Sequence, residues 1–474
     1  MTPPPPEGRV KRLLPWIVAV AFLMESLDTT ILNTGVPKIA EALHVVPLSM
    51  KAVLSSYTLS LAVFIPVSGW MADKLGTRHV FSAAIALFTL GSLLCGISTN
   101  IHELVACRIL QGMGGALMVP VGRLTIVRTF ERSELVRAMS FVSIPALVGP
   151  MLGPVAGGFI VGYFHWRFIF LVNLPFGVLG VYLVWHHLPD YRSASVPRLD
   201  VPGLVLFGSG VGLLSYVLEV FGEHSLGKWA ITGLLALSVV LLGSYFRHAL
   251  KAAHPLLRLG LFRIRTFRSA VSGSFITRLG AAGVPFLLPL LYQVGLGYTP
   301  VQSGLLLMPQ SIAAIGLKMT MPIILTKLGY RTVLLANTVL MGGTIMLFAT
   351  IGQGTPVFVI VILAVCFGFF ASLQYTSMNT LVYADVAAGE AAMASTIAST
   401  LQQMSMSFGV AAASLAAAVF VPERFRSAPP EMIHGIHGAL VALGGLTILS
   451  TLIFAELKVG DGAGVSHNAV HAGA

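Results

Sequence analysis

The chain has 474 residues, 56% of them hydrophobic and only 10% charged, with a mean hydropathy of +0.87. No soluble globular domain is that apolar, so the composition describes a protein that crosses a membrane many times. The net charge of +11 raises nucleic acid as a partner, but the bases cluster in turns between apolar runs, where they orient a membrane protein instead.

The chain opens with Met1 to Pro6 and the bases Arg9, Lys11 and Arg12, the flank of a signal peptide. The apolar run behind them holds Glu25 and Asp28 and no convincing cleavage site, which predicts an uncleaved first helix. Runs long enough to span lie at about 14–36, 50–71, 79–99, 103–126, 138–162 and 168–188, then 201–221 and 229–247. The rest fall at about 268–294, 301–324, 332–351, 356–380, 394–420 and 435–456, fourteen in all. Residues 332–384 carry no charge, but Gly352, Gly354 and Pro356 mark a turn inside them. An even count puts both termini on one side. With the amino terminus inside, twenty Lys and Arg fall in inner segments and six in outer ones, and Arg108, Arg278 and Lys318 fall within spans. That asymmetry predicts cytoplasmic termini. Cys95, Cys107 and Cys366 all lie in apolar runs, which fits small core residues better than a disulfide framework.

Between the second and third runs stands Gly69-Trp-Met-Ala-Asp73-Lys74-Leu-Gly76-Thr-Arg78-His-Val80. Charge is expelled from hydrocarbon and glycine permits reversal, so this is a tight hydrophilic turn joining two spans. Lys74, Leu75, Gly76 and Arg78 recur 253 residues later as Lys327, Leu328, Gly329 and Arg331. Ala138-Met139 matches Ala392-Met393 at a shift of 254, and Gly112 matches Gly368 at 256. Matches in the same order at nearly one shift predict a duplicated bundle. The second copy has Thr326 where the first has Asp73.

Gly69-x-x-x-Asp73-x-x-Gly76-x-Arg78 resembles the loop signature of the major facilitator superfamily. The first helix, Leu27-Asp28-Thr29-Thr30-Ile31-Leu32-Asn33-Thr34-Gly35-Val36-Pro37, resembles that of its fourteen-span drug:proton antiporters. So does His165-Trp-Arg167-Phe-Ile-Phe-Leu-Val-Asn173-Leu-Pro175-Phe-Gly177. Leu104-Val-Ala-Cys-Arg108-Ile-Leu-Gln111-Gly112-Met-Gly114-Gly115 looks like the family's fourth-helix motif. Gly149-Pro-Met-Leu-Gly153-Pro154-Val-Ala-Gly157-Gly158 is similar to the motif that marks its exporters. The resemblance implies an all-α polytopic fold of two six-helix bundles plus two extra helices. The expected division is 1–190 for the first bundle, 191–265 for the extra helices and linkers, 266–458 for the second bundle, and 459–474 for a disordered tail.

The function implied is export of small drug-like or hydrophobic molecules from a bacterial cytoplasm through the inner membrane, driven by the proton gradient. The expected partners are substrate, protons and lipid, without nucleic acid, cofactor or metal, and the expected state is a monomer. A carboxylate in a span costs about 2.5–3.5 kcal/mol on insertion scales. Asp28 and Glu25, three residues apart on one helix face, are therefore candidates to carry the proton, with Arg108 biasing its exchange. The alternative for these acids is a structural ion pair. Asn33, Gln111, Arg278, Tyr292, Gln293, Gln310, Lys318, Gln374, Tyr375 and Asn379 are expected to line the substrate cavity. Gly69, Asp73, Gly76, Arg78, Gly149, Gly153, Pro154 and Gly157 are expected in gating. Arg278 and Lys318 have no obvious acidic partner, which raises a second substrate class, anionic metabolites or chelates. A sensor on a transporter fold is a third reading.

Gly222-Glu-His-Ser-Leu-Gly227-Lys228-Trp229 imitates a phosphate-binding loop but ends in Trp and has no preceding strand. An ATP-driven pump is therefore unsupported. The thirteen histidines show no metalloenzyme spacing.

Overall fold

The computed structural model describes residues 7–221, 227–316, 318, 320–420 and 429–463. Most of the phosphate-loop imitation and residues 464–474 of the expected tail lie outside them. Among the described residues every regular element is helical.

The first half holds α1 (Glu7–Ala42), α2 (Lys51–Leu75), α3 (Thr77–Ile97), α4 (Ile101–Thr129) and α5 (Arg132–Tyr163). Its last pass is α6 (Phe168–Leu171) followed directly by α7 (Asn173–His187). A hairpin follows, α8 (Val201–Val220) and α9 (Lys228–Lys251). The second half opens with α10 (Arg265–Ala281), α11 (Val284–Leu290) and a π turn over Leu291–Gly295. It continues with α12 (Pro300–Gly316), α13 (Met321–Leu347), α14 (Val357–Leu381), α15 (Ala391–Val419), α16 (Pro429–Leu449) and α17 (Thr451–Phe454). Ten of these helices or joined pieces are long and apolar enough to cross a membrane.

Two expected spans are interrupted. The run near 268–294 breaks between α10 and α11, where Ala282-Gly283 precedes Pro285. The run near 301–324 breaks after Gly316 and resumes at Met321. The duplicated turn is visible in the backbone: Gly76 has φ +97° and Gly329 has φ +73°. Both occupy a region that a Cβ disfavours, so glycine is required at the same step of each copy. Gly329 reverses the chain inside the range of α13.

The described ends emerge on one face, which we call the terminal face. Lys11 pairs with Glu134 at the start of α5, and Asp461 pairs with Arg265 at the start of α10. The first residues of the expected tail, 459–463, are therefore ordered, with Gly462 against the Tyr330 ring. Burial alone would raise the Asp461 carboxyl, but the hydrogen bonds from Arg265 and the Lys458 amide outweigh it and hold it below the usual range.

Packing differs between the faces. Toward the opposite face a single apolar core joins the halves, from Leu32, Val36 and Ile39 of α1 to Phe286, Leu287 and Leu290 of α11. The hydrogen bonds between the halves also lie there or at mid-depth: Gln293 to the Thr34 carbonyl (2.9 Å), Ser414 to that of Leu48 (3.1 Å), Ser407 to that of Ser55 (3.1 Å) and Ser311 to that of Pro150 (2.9 Å). Lipid supplies no hydrophobic drive for helices to associate, so close approach at small residues does this work. Gly149, Gly153 and Gly157 of α5 lie against Ser26, Thr30 and the Ile31 carbonyl of α1.

Candidate functional site: a central cavity beside a buried ion pair

Between the halves lies a cavity of about 290 Å³. α1 contributes Thr29, Thr30 and Asn33, α2 contributes Tyr57 and Thr58, and α4 contributes Arg108. The second half answers with Arg278, Gln310, Tyr375 and an apolar set that includes Phe367, Met406 and Val410. A largely apolar wall with a few polar groups suits a small organic ligand.

Asp28 and Arg108 are each 1% exposed, and the Arg108 Nη1 donates to Asp28 Oδ2 at 2.6 Å. The same nitrogen reaches Gln111 Oε1 at 2.7 Å. Gln111 Nε2 donates to Asp28 Oδ1 (2.8 Å) and to Ser92 Oγ (3.0 Å), and Asn173 Nδ2 does likewise (3.1 and 3.0 Å). The carboxylate thus accepts from three side chains on two helices, with Ser92 of α3 closing the ring. Arg108 lies over the Tyr57 ring, its guanidinium carbon 4.2 Å from the centroid. Tyr57 and Arg108 face the cavity while Asp28 stays behind them. Removing one partner of a buried pair this completely hydrogen-bonded would strand the other at a cost of about 3–5 kcal/mol. Glu25, one turn toward the terminal face, makes none of these hydrogen bonds among the described residues but lies close enough to Asp28 to feel its charge.

Of the residues expected in the cavity, Asn33, Arg278, Gln310 and Tyr375 line it. Six do not. Gln111 serves Asp28 from behind. Tyr292 is fully buried in the apolar core that closes the opposite face. Gln293 is spent on the Thr34 carbonyl. Gln374 faces into its own half, donating to Thr338 (2.7 Å) and accepting from Asn337 (2.8 Å). Asn379 is exposed near the end of α14, and Lys318 is exposed in the break between α12 and α13. Sequence reading missed Asn173, which donates to Asp28, and Ser92, which accepts from Asn173 and Gln111. An asparagine inside the run Phe170-Leu-Val-Asn173-Leu is itself the signal for the first.

The loop after α2 forms a second cluster on the terminal face. Asp73 is ion-paired with Arg128 of α4 and accepts from Ser193 Oγ at 3.1 Å. The segment after α7 straps this loop: Tyr191 and Thr77 exchange hydrogen bonds, and Asp190 accepts from the Arg78 amide (3.2 Å). The Arg78 guanidinium lies over Trp185. Gly69, expected in gating, has open space where its Cβ would be. Asp73→Asn is expected to slow transport roughly fivefold, since a half-exposed pair contributes about 1 kcal/mol or less. Initial rates and half-saturation measured together check this, and a large change in half-saturation contradicts it.

A helical fold of two halves closed around one ligand-sized cavity, with a buried ion pair at its edge, defines a membrane transporter. The sequence profile of the Major Facilitator Superfamily matches residues 18–410, and the chain belongs to that family of transporters. It is 41% identical over 405 residues to "Putative multidrug resistance protein MdtD" of Escherichia coli O157:H7 (strain EC4115 / EHEC), covering 85% of this chain and 86% of that one. Its counterpart of that name in Salmonella heidelberg (strain SL476) is 37% identical over 442 residues, covering 93% and 94%. Among solved structures, the POT family transporter PepTSo superposes with a TM-score of 0.70 at 15% identity, covering 94% of this chain and 97% of that one.

Proposed function

We propose that this transporter is a proton-coupled exporter of small hydrophobic or drug-like molecules, with fourteen spans and both termini in the cytoplasm of a bacterium. The observation that carries the reading is the Asp28–Arg108 pair: a titratable group sealed from water yet separated from the cavity only by Arg108 and Tyr57. Protonating Asp28 removes the charge that holds Arg108, freeing the guanidinium to serve a group in the cavity that it already lines. Substrate and proton would then compete for one arrangement of α1 and α4, which is what antiport needs. α1, α5, α12 and α15, added to the ten helices already long and apolar enough, bring the spans to fourteen. The excess of bases on the terminal face supports placing that face inside, so the cavity, sealed on the opposite face, stands ready for cytoplasmic substrate. Drug-like substrates have support from the naming of the MdtD relatives.

The test is substrate-dependent proton movement in proteoliposomes, screened over a panel of lipophilic compounds. Export predicts proton release in one direction only, and a panel that moves no protons and no substrate overturns the reading.

One observation favours a second substrate class. Arg278 lines the cavity, lies 3.9 Å over the Tyr375 ring and has no carboxylate within ion-pair distance among the described residues. An anionic substrate would supply that partner. Under this reading Arg278→Gln weakens export of an acid roughly tenfold or more and spares neutral compounds, whereas Lys318→Gln, outside the cavity, changes neither. Equal loss for acids and neutral compounds would refute it.

A further inference from the structure

A second concavity, on the terminal face where α1 and α5 begin, has no part in the site above. Its volume is about 620 Å³, and its walls are Lys11, Arg12, Pro15 and Trp16 of α1, Phe130, and Glu134, Arg137, Ala138 and Phe141 of α5. The spacing explains the wall: residues 11, 12, 15 and 16 of one helix and 134, 137, 138 and 141 of the other each form one helical face.

The charges do not cancel. Glu134 is taken by Lys11 at 2.7 Å. Arg12 and Arg137 are exposed and have no ion pair among the described residues. One turn further along α1, Trp16 is 61% exposed and meets Phe141 edge-on, with ring centroids 4.8 Å apart. The pocket therefore has a cationic rim at the chain's charged end and an aromatic floor on the side that enters the apolar span. Tryptophan at that depth belongs to the membrane–water interface. A ligand that fits both parts has an anionic phosphate above and apolar chains below.

We propose that this pocket binds the headgroup of an anionic phospholipid. Its phosphodiester lies between the Arg12 and Arg137 guanidiniums, and its glycerol and upper acyl carbons lie on Trp16 and Phe141. Guanidiniums suit this role, because each presents a planar fork of donors to phosphate oxygens. The bound lipid bridges the starts of the two helices that carry Asp28 and the glycine stripe, adding to the Lys11–Glu134 pair that already joins them. The proposal depends only on the chain lying in a bilayer, and stands whether or not Asp28 carries protons.

The experiment uses the full chain in phosphatidylcholine vesicles. Brominated phosphatidylglycerol is titrated against brominated phosphatidylcholine, and quenching of tryptophan fluorescence reports the relative binding constant. Phosphatidylglycerol should be favoured, and Trp16→Phe should remove the selective part of the quenching, which locates the site. R12Q/R137Q should cut the preference about tenfold or more, each basic contact near the surface being worth roughly a fivefold factor. R12K/R137K keeps the charge, so it should retain most of the preference and shows whether the double variant merely misfolds. As a control, R247Q/K251Q removes two exposed bases from the end of α9, and should leave the preference unchanged. Equal loss in the control, or quenching that survives Trp16→Phe unaltered, overturns the site. Displacement of the lipid by millimolar inorganic phosphate would make it a site for free phosphate and overturn the lipid assignment.

Discussion

Asp28→Asn is expected to abolish transport driven by a pH gradient, a loss of at least about a hundredfold, while the protein still inserts and binds substrate. Asparagine keeps the size of the side chain but cannot titrate. Its single oxygen cannot replace a carboxylate that accepts from Arg108 on one side and from Gln111 and Asn173 on the other. Arg108 is not left wholly stranded, because Gln111 Oε1 and the Tyr57 ring still receive it. The variant should therefore still exchange substrate across the membrane without a gradient, and the two assays together separate lost coupling from lost folding. Full gradient-driven transport by the variant would sink the assignment and make Glu25 the next candidate. Arg108→Met is expected to be worse for stability than Asp28→Asn, since it leaves a buried carboxylate without its counter-charge, held only by the neutral donors Gln111 and Asn173. Thermal stability in detergent ranks the two.

The turns were the most legible part of the chain. Charge and glycine are local signals, and Gly76 and Gly329 prove to share one backbone conformation although only a handful of residues around them match. The pairing of Asp28 with Arg108 was legible because both are charged within spans, and such groups need partners. The facing of neutral polar residues was not. Gln374 and Gln310 look alike in the sequence, yet one is bonded inside its own half and the other lines the cavity. In a helix that is apolar all round, no periodic stripe reveals which way it is turned. The breaks after Gly316 and at Ala282 were hidden for a related reason: hydropathy reports length, and an interrupted helix keeps its hydropathy. That is how Lys318, which seemed to lie within a span, comes to sit at a surface break.

Gly158→Val and Gly304→Val are expected to weaken the seal on the face opposite the termini, and so to slow transport about tenfold or more. The two positions are reciprocal. A Cβ at Gly158 of α5 would strike the carbonyl of Pro300 in α12, and one at Gly304 of α12 would strike that of Pro154 in α5. This is where the halves touch backbone to backbone, so an added side chain forces α5 and α12 apart. Overpacking costs about 1–3 kcal/mol, which shifts a two-state equilibrium by roughly fivefold to a hundredfold. Neighbouring Gly157 makes the comparison sharp, because its missing Cβ faces the Ile31 carbonyl of α1, inside the first half. Gly157→Val should therefore lower the stability of the half itself, whereas Gly158→Val should leave it folded and change which conformation it favours. Labelling of a cysteine placed at Asn33, in the cavity wall, by an impermeant thiol reagent added from the sealed side reads this directly. Faster labelling in the Gly158 and Gly304 variants, with melting temperatures near the parent's, is the expected result. Labelling that stays at the parent rate while both proteins lose stability would mean that the contact holds the fold together and does not gate it.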